Sequence, residues 1–199
     1  MRIRIKRKKI IKEAAISPEE YLDLDDPEIQ LEIGEWGIEI DAGDIGSLSA
    51  FPISCNPGGV VVYSIAWAGT KPGYGPLFYD LALEALWKFQ KAALTSDRKT
   101  VSTDAKGVWD YYLDNRDDVE KIQMDIDKET IAQTTTPLKH LTDTTDDDCP
   151  QTISVHYASK TRGARNIPNW YKESTAFAYI KKDPTTITKL GDRLIIDAD

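Results

Sequence analysis

The sequence predicts an α+β fold built on a single mixed β-sheet flanked by helices. Three observations carry that expectation. Residues 60–67 (Val-Val-Val-Tyr-Ser-Ile-Ala-Trp) are a run of β-branched and aromatic side chains, the composition of a strand. A helical pattern over 76–93 follows, with Leu77, Leu81, Ala85 and Phe89 at four-residue spacing and Phe78, Ala82 and Leu86 beside them. Alternating segments lie before this unit, at 34–41, and after it, at 152–158 and 177–181. Strands, then strand–helix–strand–helix, then strands again, is an order that one sheet with helices packed on it accommodates.

The elements follow in chain order. Ser17-Pro18-Glu19-Glu20 opens a short helix: Ser17 caps it, Pro18 fits the first turn, and the two acids meet the positive end of the helix dipole. Asp23, Asp25, Asp26 and Pro27 end it. Residues 34–41 (Gly-Glu-Trp-Gly-Ile-Glu-Ile-Asp) read as a strand, and 48–55 as a weaker one in which Pro52 favours an edge or a bend. Asn56-Pro57-Gly58-Gly59 turns the chain into the 60–67 strand. That strand begins continuously apolar, as in a central strand buried on both faces. The helix over 76–93 has a broad apolar face suited to packing on a sheet. A short strand near 99–102 follows, then a second helix capped by Ser102 or Thr103 and running to about Asn115. Ala105, Val108, Trp109 and Tyr112 form its apolar stripe. Residues 116–150 are polar, rich in Asp and Thr, and aperiodic, so they read as an insertion. A strand at 194–196 closes the chain. The expected organisation is a basic arm over 1–16 and one domain over 17–199.

Composition bounds the function. With 199 residues, 41% of them hydrophobic, the chain can bury a sizeable core and is neither disordered, collagenous nor a coiled coil. No apolar run reaches the length of a membrane span. The basic start has no apolar segment behind it, which argues against a secretory signal. Cys55 and Cys149 are too few for a disulfide framework and fit a reducing compartment, with a single bridge left open. The expected location is the cytoplasm, or the host cytoplasm for a phage-encoded chain.

The formal charge of −8 conceals an asymmetry. Residues 1–12 hold Arg2, Arg4, Lys6, Arg7, Lys8, Lys9 and Lys12 and no acid, so the other 187 residues carry −15. Such a body repels phosphates at long range, which argues against DNA binding by the domain itself. The arm suits an acidic partner, whether nucleic acid, membrane surface or another subunit. Its bland alternative is a solvated terminus, or one docked on the acidic body. It also resembles the basic starts of many tailed-phage proteins.

The chemistry concentrates where the 60–67 strand turns into the next helix. Gly73-Tyr74-Gly75-Pro76 lets the backbone approach a ligand closely, and the first helical turn offers amides without internal acceptors. A strand that feeds a Gly-x-Gly turn into a helix start is a cradle for a phosphate or pyrophosphate. Lys71 lies beside it and can add charge. No Gly-Lys-Ser/Thr follows, so this is not a Walker A loop. The third glycine of the dinucleotide fingerprint is missing too.

Over about residues 35–115 the chain resembles the GNAT family of acyl-CoA-dependent N-acyltransferases. The pyrophosphate loop of that family, Arg/Gln-x-x-Gly-x-Gly/Ala, lies between its fourth strand and third helix, where this chain has residues 70–75. Ser102, Ala105 and Trp109, with Tyr111 and Tyr112 just beyond, stand near its Asn-x-x-Ala-x-x-x-Tyr helix. The resemblance implies acetyl-CoA as co-substrate. The backbone of Trp67 and Ala68 would pair with the pantetheine arm, and the amides around Gly73, Tyr74 and Gly75 would hold the pyrophosphate beside Lys71 and Pro76. Tyr112 would be the acid that protonates the leaving thiolate. Its bland alternative is core packing within the stripe of Ala105, Val108 and Trp109. The chain departs from the family pattern at Thr70, Ser102, Trp109 and the Asp114-Asn115-Arg116 segment.

Other groups carry weaker signals. Asp143 and Asp146–Asp148 are acidic enough for a hard cation but match no EF-hand loop, and no metal is expected. Cys149 has no motif that fixes it to His140 or His156, and the carboxylates beside it would raise its thiol pKa. Lys160, Arg162 and Arg165 form a basic loop able to meet the CoA 3′-phosphate. Trp36, Trp67, Trp87, Trp109 and Trp170 read as core or rim. The expected function is acetyl transfer from acetyl-CoA to an amine whose identity is open. The alternative is a non-catalytic protein of the same fold, a structural or interaction component such as a phage virion protein.

Overall fold

The computed structural model describes residues 15–25, 27–54, 56–97, 100–124, 156–157 and 174–198. The expected α+β plan is borne out. An eight-stranded mixed sheet runs in the order β10–β1–β2–β3–β4–β5–β9–β7, and a separate parallel pair joins β6 to β8. The strands are β1 (Ile29–Gly34), β2 (Gly37–Asp41), β3 (Gly46–Ile53), β4 (Val62–Thr70), β5 (Ala93–Thr95), β6 (Thr100–Val101), β7 (Glu120–Gln123), β8 (His156–Tyr157), β9 (Phe177–Ile180) and β10 (Leu194–Ala198). The helices are α1 (Pro18–Leu22), α2 (Gly75–Ala85), α3 (Thr103–Asn115) and α4 (Thr185–Leu190).

The first four strands form an antiparallel meander, because each is followed by a connection short enough to turn back. The helix α2 then carries the chain across the sheet so that β5 lies parallel to β4. Period-two burial sends Ile29, Leu31 and Ile33, then Ile38 and Ile40, then Leu48 and Ala50, to one face. There α2 covers them with Leu77, Phe78, Leu81, Ala82 and Ala85. Full burial of each such aliphatic or aromatic side chain contributes about 1.5–3 kcal/mol, so this face dominates the stability of the fold. On the opposite side of the later strands, Val62, Ala93, Met124, Ala178 and Ile180 form a second, smaller cluster. β4 is thus buried on both faces at its start, as its continuous apolar run predicts.

Several boundaries differ from the sequence reading, each for a physical reason. The strand expected over 34–41 is the second half of a hairpin whose first half, β1, runs through Ile29, Leu31 and Ile33. Pro52 sits in an interior strand, yet the β2 ladder ends at Ala50, so the missing N–H of Pro52 falls where β3 has one neighbour only. The long helix is α-helical to Ala85 and then widens into a π turn over Leu86–Gln90, closed by Lys91 at φ 52°. β7 lies inside the stretch read as a polar insertion and pairs with β9 at the sheet edge. Ser17 caps α1 as expected, and Glu20 completes the capping box by accepting the Ser17 N–H at 2.8 Å. Among the described residues no helix is long and apolar enough to cross a membrane.

Residues 1–14 of the basic arm, Cys55, His140, the Asp143–Asp148 cluster, Cys149, Lys160, Arg162, Arg165 and Trp170 lie outside the described residues. His156 is placed in β8 by its backbone.

Candidate functional site

The site begins with a parting of strands. β4 and β5 pair over Val62–Ala93, Tyr63–Leu94 and Ser64–Thr95. Beyond Thr95 β5 ends, while β4 continues to Thr70, still paired with β3 on its other edge. The β3 ladder steps from Ser49↔Trp67 to Ala50↔Ile65, which makes Ala66 the extra residue of a β-bulge. A bulge bends its strand and re-aims the side chains after it. Here it falls where β4 leaves β5. Among the described residues the β5-facing edge of β4 over residues 65–70 is therefore without a strand partner.

Two adjoining hollows occupy this opening. The larger, about 500 Å³, lies between residues 69–73, the start of α2 and the start of α3. The smaller, about 230 Å³, is lined by Ile65, Ala66, Trp67, Ala68, Asp97, Val101 and Trp109. Ala68, Tyr79, Ser102 and Ala105 line both. Trp67 is 61% exposed. A Cβ added at Gly69 would come within 2.9 Å of its indole, so the Trp67 ring lies close over that glycine.

The structure brings Ala68, Lys71, Gly73, Gly75 and Pro76 to the larger hollow and Trp67 and Ala68 to the smaller. Gly73 adopts φ +90°, a conformation glycine takes without steric cost. At Gly75 neither conformation nor space demands glycine: a Cβ there would meet only the Thr70 Oγ1, in ordinary contact at 3.7 Å. The Tyr74 amide is committed within the turn, donating to the Lys71 carbonyl at 3.2 Å. Leu77 and Phe78 donate back to the Tyr74 carbonyl, and Pro76 has no N–H. The Gly73 and Gly75 amides donate to no backbone carbonyl among the described residues. The Tyr74 ring packs edge-on against Tyr21.

Lys71 is held away from a free role. Its Nζ pairs with Asp44 at 2.7 Å, and its amide donates to the Ile45 carbonyl at 2.7 Å. The Lys71 hydrogen bond keeps the Asp44 carboxyl below its ordinary range. Both side chains are well exposed, so solvent and salt weaken the pair. Asp104 brings a further carboxylate to the larger hollow and Asp97 one to the smaller.

Tyr112 is placed beneath the site. It is fully buried, and its hydroxyl donates to Asp80 Oδ1 at 2.6 Å. Burial, then the Asp80 charge, pushes its phenol well above the ordinary range. Its neighbours on α3, Ala105, Val108 and Trp109, reach the hollows; Tyr112 lines neither. Trp109 is buried in an aromatic cluster, stacked on Tyr179 at 5.3 Å and edge-on to Tyr79 at 5.1 Å.

Two features escaped sequence reasoning. Tyr79, in the apolar run of α2, lines both hollows. Asp80 and Glu84, four apart on α2, form a buried ionic group: Asp80 accepts from Arg116 at 3.0 and 3.1 Å, and Lys181 bridges Asp80 and Glu84. Two acids at i and i+4 in an otherwise apolar helix were the available signal. Among the described residues no group of three or more His, Cys, Asp or Glu is placed to hold a metal ion.

No family model, curated protein or solved structure matches this chain.

Proposed function

We propose that the chain is a GNAT-type acyltransferase that binds acetyl-CoA in the opening between β4 and β5 and passes the acetyl group to an amine. One observation carries this reading: a strand edge with no partner among the described residues, β4 over residues 65–70, runs beside hollows that lead to a Gly-x-Gly turn at a helix start. A ligand with an extended, amide-bearing arm and a pyrophosphate at one end matches both parts. The arm's amides would pair with the β4 backbone near Trp67 and Ala68 as an added strand does. The pyrophosphate would meet the Gly73 and Gly75 amides at the positive end of α2. The turn also joins the fourth strand of the chain to the following helix, as the resemblance implies.

The chemistry asks little of the protein. The amine nitrogen attacks the thioester carbonyl carbon, the C–S bond breaks, and thiolate leaves with its electron pair. One proton leaves the nitrogen and one is taken up by sulfur. Holding the thioester and the amine together in a closed site supplies most of the acceleration.

A second reading is favoured by the rim. Lys71 is already paired with Asp44, Asp104 adds negative charge, and Thr70 stands where a cationic or amide side chain would help. A non-catalytic protein of this fold, recruited through its basic arm to an acidic partner, fits those facts. Titration calorimetry with acetyl-CoA, with desulfo-CoA for comparison, separates the two. Micromolar binding supports the enzyme, and absence of binding at millimolar ligand removes it in favour of the second reading.

A further inference from the structure

The edge of β4 over residues 65–70 has no strand partner among the described residues, and such an edge is a template for an added strand. The hollows beside it are lined by apolar residues, Ile65, Val101 and Val108 among them, and by two acids, Asp97 and Asp104. Lys71 is the one basic residue lining either hollow among the described residues, and it is already paired with Asp44 at 2.7 Å. The edge therefore suits a strand that brings apolar side chains and positive charge together.

The sequence carries such a strand nearby. Arg2-Ile3-Arg4-Ile5-Lys6 alternates with period two, so an extended segment puts Ile3 and Ile5 on one face and the three cations on the other. Its tether is fixed at the right place. Ile16 donates to the carbonyl of Gly73, which lines the larger hollow and lies three residues past the end of β4 at Thr70. Ten residues lead from Lys6 to Ile16, a reach of up to about 33 Å, against about 20 Å for six residues of strand. The tether also sets the direction, because an arm that runs along this edge toward Ile16 runs parallel to β4, as β5 does. A segment tethered this closely meets the edge at an effective concentration on the order of millimolar, without a second copy.

We infer that residues 2–6 of the same chain add to the free edge of β4 as a parallel strand, with Ile3 and Ile5 turned to the apolar lining. Arg2, Arg4 and Lys6 are then held in the negative field of Asp97, Asp104 and a body that carries −15 beyond residue 12. This inference stands apart from the acetyl-CoA reading, since it needs no ligand. Five residues in a parallel ladder hold the strand lightly. The arm is thus a removable cover: a ligand that pairs with the edge must displace it, and an acidic partner that takes the arm's charges uncovers the edge.

The test is amide hydrogen exchange of the full chain, wild type against the double variant Ile3→Gly and Ile5→Gly. That variant keeps every positive charge and removes both apolar side chains and the preference for a strand. The amides of residues 65–70 that β3 does not engage should exchange at least about threefold faster in the variant, while those of β1 and β2 keep the wild-type rate. Arg2→Glu with Arg4→Glu should speed exchange at the same amides. Equal exchange at residues 65–70 in wild type and the glycine variant overturns the inference, since the arm would then touch the body through charge alone or not at all. Protection that grows with protein concentration overturns it as well, because the added strand would then come from a second copy.

Discussion

The Tyr112 hydroxyl on α3 donates to Asp80 on α2 at 2.6 Å, and the same carboxylate receives Arg116 and Lys181. Asp80 is thus the point where α2, α3 and the end of β9 are tied together beneath the hollows. The tie is sheltered: the Lys181 side chain is 3% exposed and that of Asp80 17%. Lys181 also pairs with Glu84, whose carboxylate accepts the Thr186 and Ile187 amides at 2.9 and 2.8 Å and so begins α4. One ionic group therefore sets the position of three helices against the sheet.

Removing the centre of that group should be costly. Asp80→Ala leaves Arg116 and Lys181 short of a counter-charge in a dry setting, and stability should fall by about 3 kcal/mol, or roughly 9 °C in melting temperature. Tyr112→Phe deletes one hydrogen bond to the carboxylate and should cost about half as much. Scanning calorimetry of both variants gives the comparison. An Asp80→Ala protein that melts with the wild type would show that the group orients the helices without stabilising them.

The two glycines of the turn should respond differently to the same substitution. Gly73→Ala forces a Cβ onto φ +90° and should cost at least about 1 kcal/mol. Gly75→Ala meets open space and a helical backbone, so its stability should equal or slightly exceed that of the wild type. Gly75→Trp should leave the protein folded but fill the hollow and abolish stabilisation by acetyl-CoA. Thermal melts with and without acetyl-CoA read all three. Equal stabilisation of Gly75→Trp and wild type would place the ligand elsewhere.

Much of this arrangement was legible, and the gaps have causes. β4, α2 and α3 announce themselves because their burial patterns are long and their boundaries carry Gly, Pro or Ser. β1 was hidden by the acids and Pro27 before it, although Ile29, Leu31 and Ile33 alternate; a strand of that length declares itself only beside β2 and β10. α4 is six residues held by Glu84, more than a hundred positions earlier, a partnership no local window contains. At the site, Gly73 and Gly75 were visible as glycines. Tyr79 was not, because helical periodicity absorbs an aromatic residue into a broad apolar face. The parting of β4 from β5 depends on pairing and on the Ala66 bulge, and pairing is a tertiary fact.

The pH dependence of stability should show one small, assignable step. Asp118 is held below the ordinary carboxylate range, mainly by its hydrogen bond from Arg116. A depressed folded pKa means that the unfolded chain binds more protons in the interval between the two values, so stability rises with pH there. The contribution is complete above the unfolded value and disappears as pH falls through the folded one. Asp118→Asn removes it. The gap in melting temperature between wild type and variant should be constant near neutrality and close in acid, and it should be modest because the Asp118 side chain is 48% exposed. A gap that persists unchanged to pH 2 would assign the variant's effect to lost packing.

The start of the chain offers a test that separates the arm from the site. Ile16 donates its amide to the Gly73 carbonyl at 3.0 Å and packs, partly buried, against the main core. Residues 1–12, with seven positive charges, lie just upstream of that anchor. If the arm serves an acidic partner rather than the fold, deleting residues 1–12 should leave the melting temperature within about 2 °C of the wild type. Deleting residues 1–16 removes the Ile16 contact and its bond to the turn, and should cost about 1–2 kcal/mol, or roughly 2–8 °C. The longer deletion should also weaken acetyl-CoA binding, because Gly73 loses the contact that steadies its carbonyl. A large loss of stability from the shorter deletion would show instead that the arm is docked on the acidic body, where its charge is already matched, and would take from it the role of reaching for a partner.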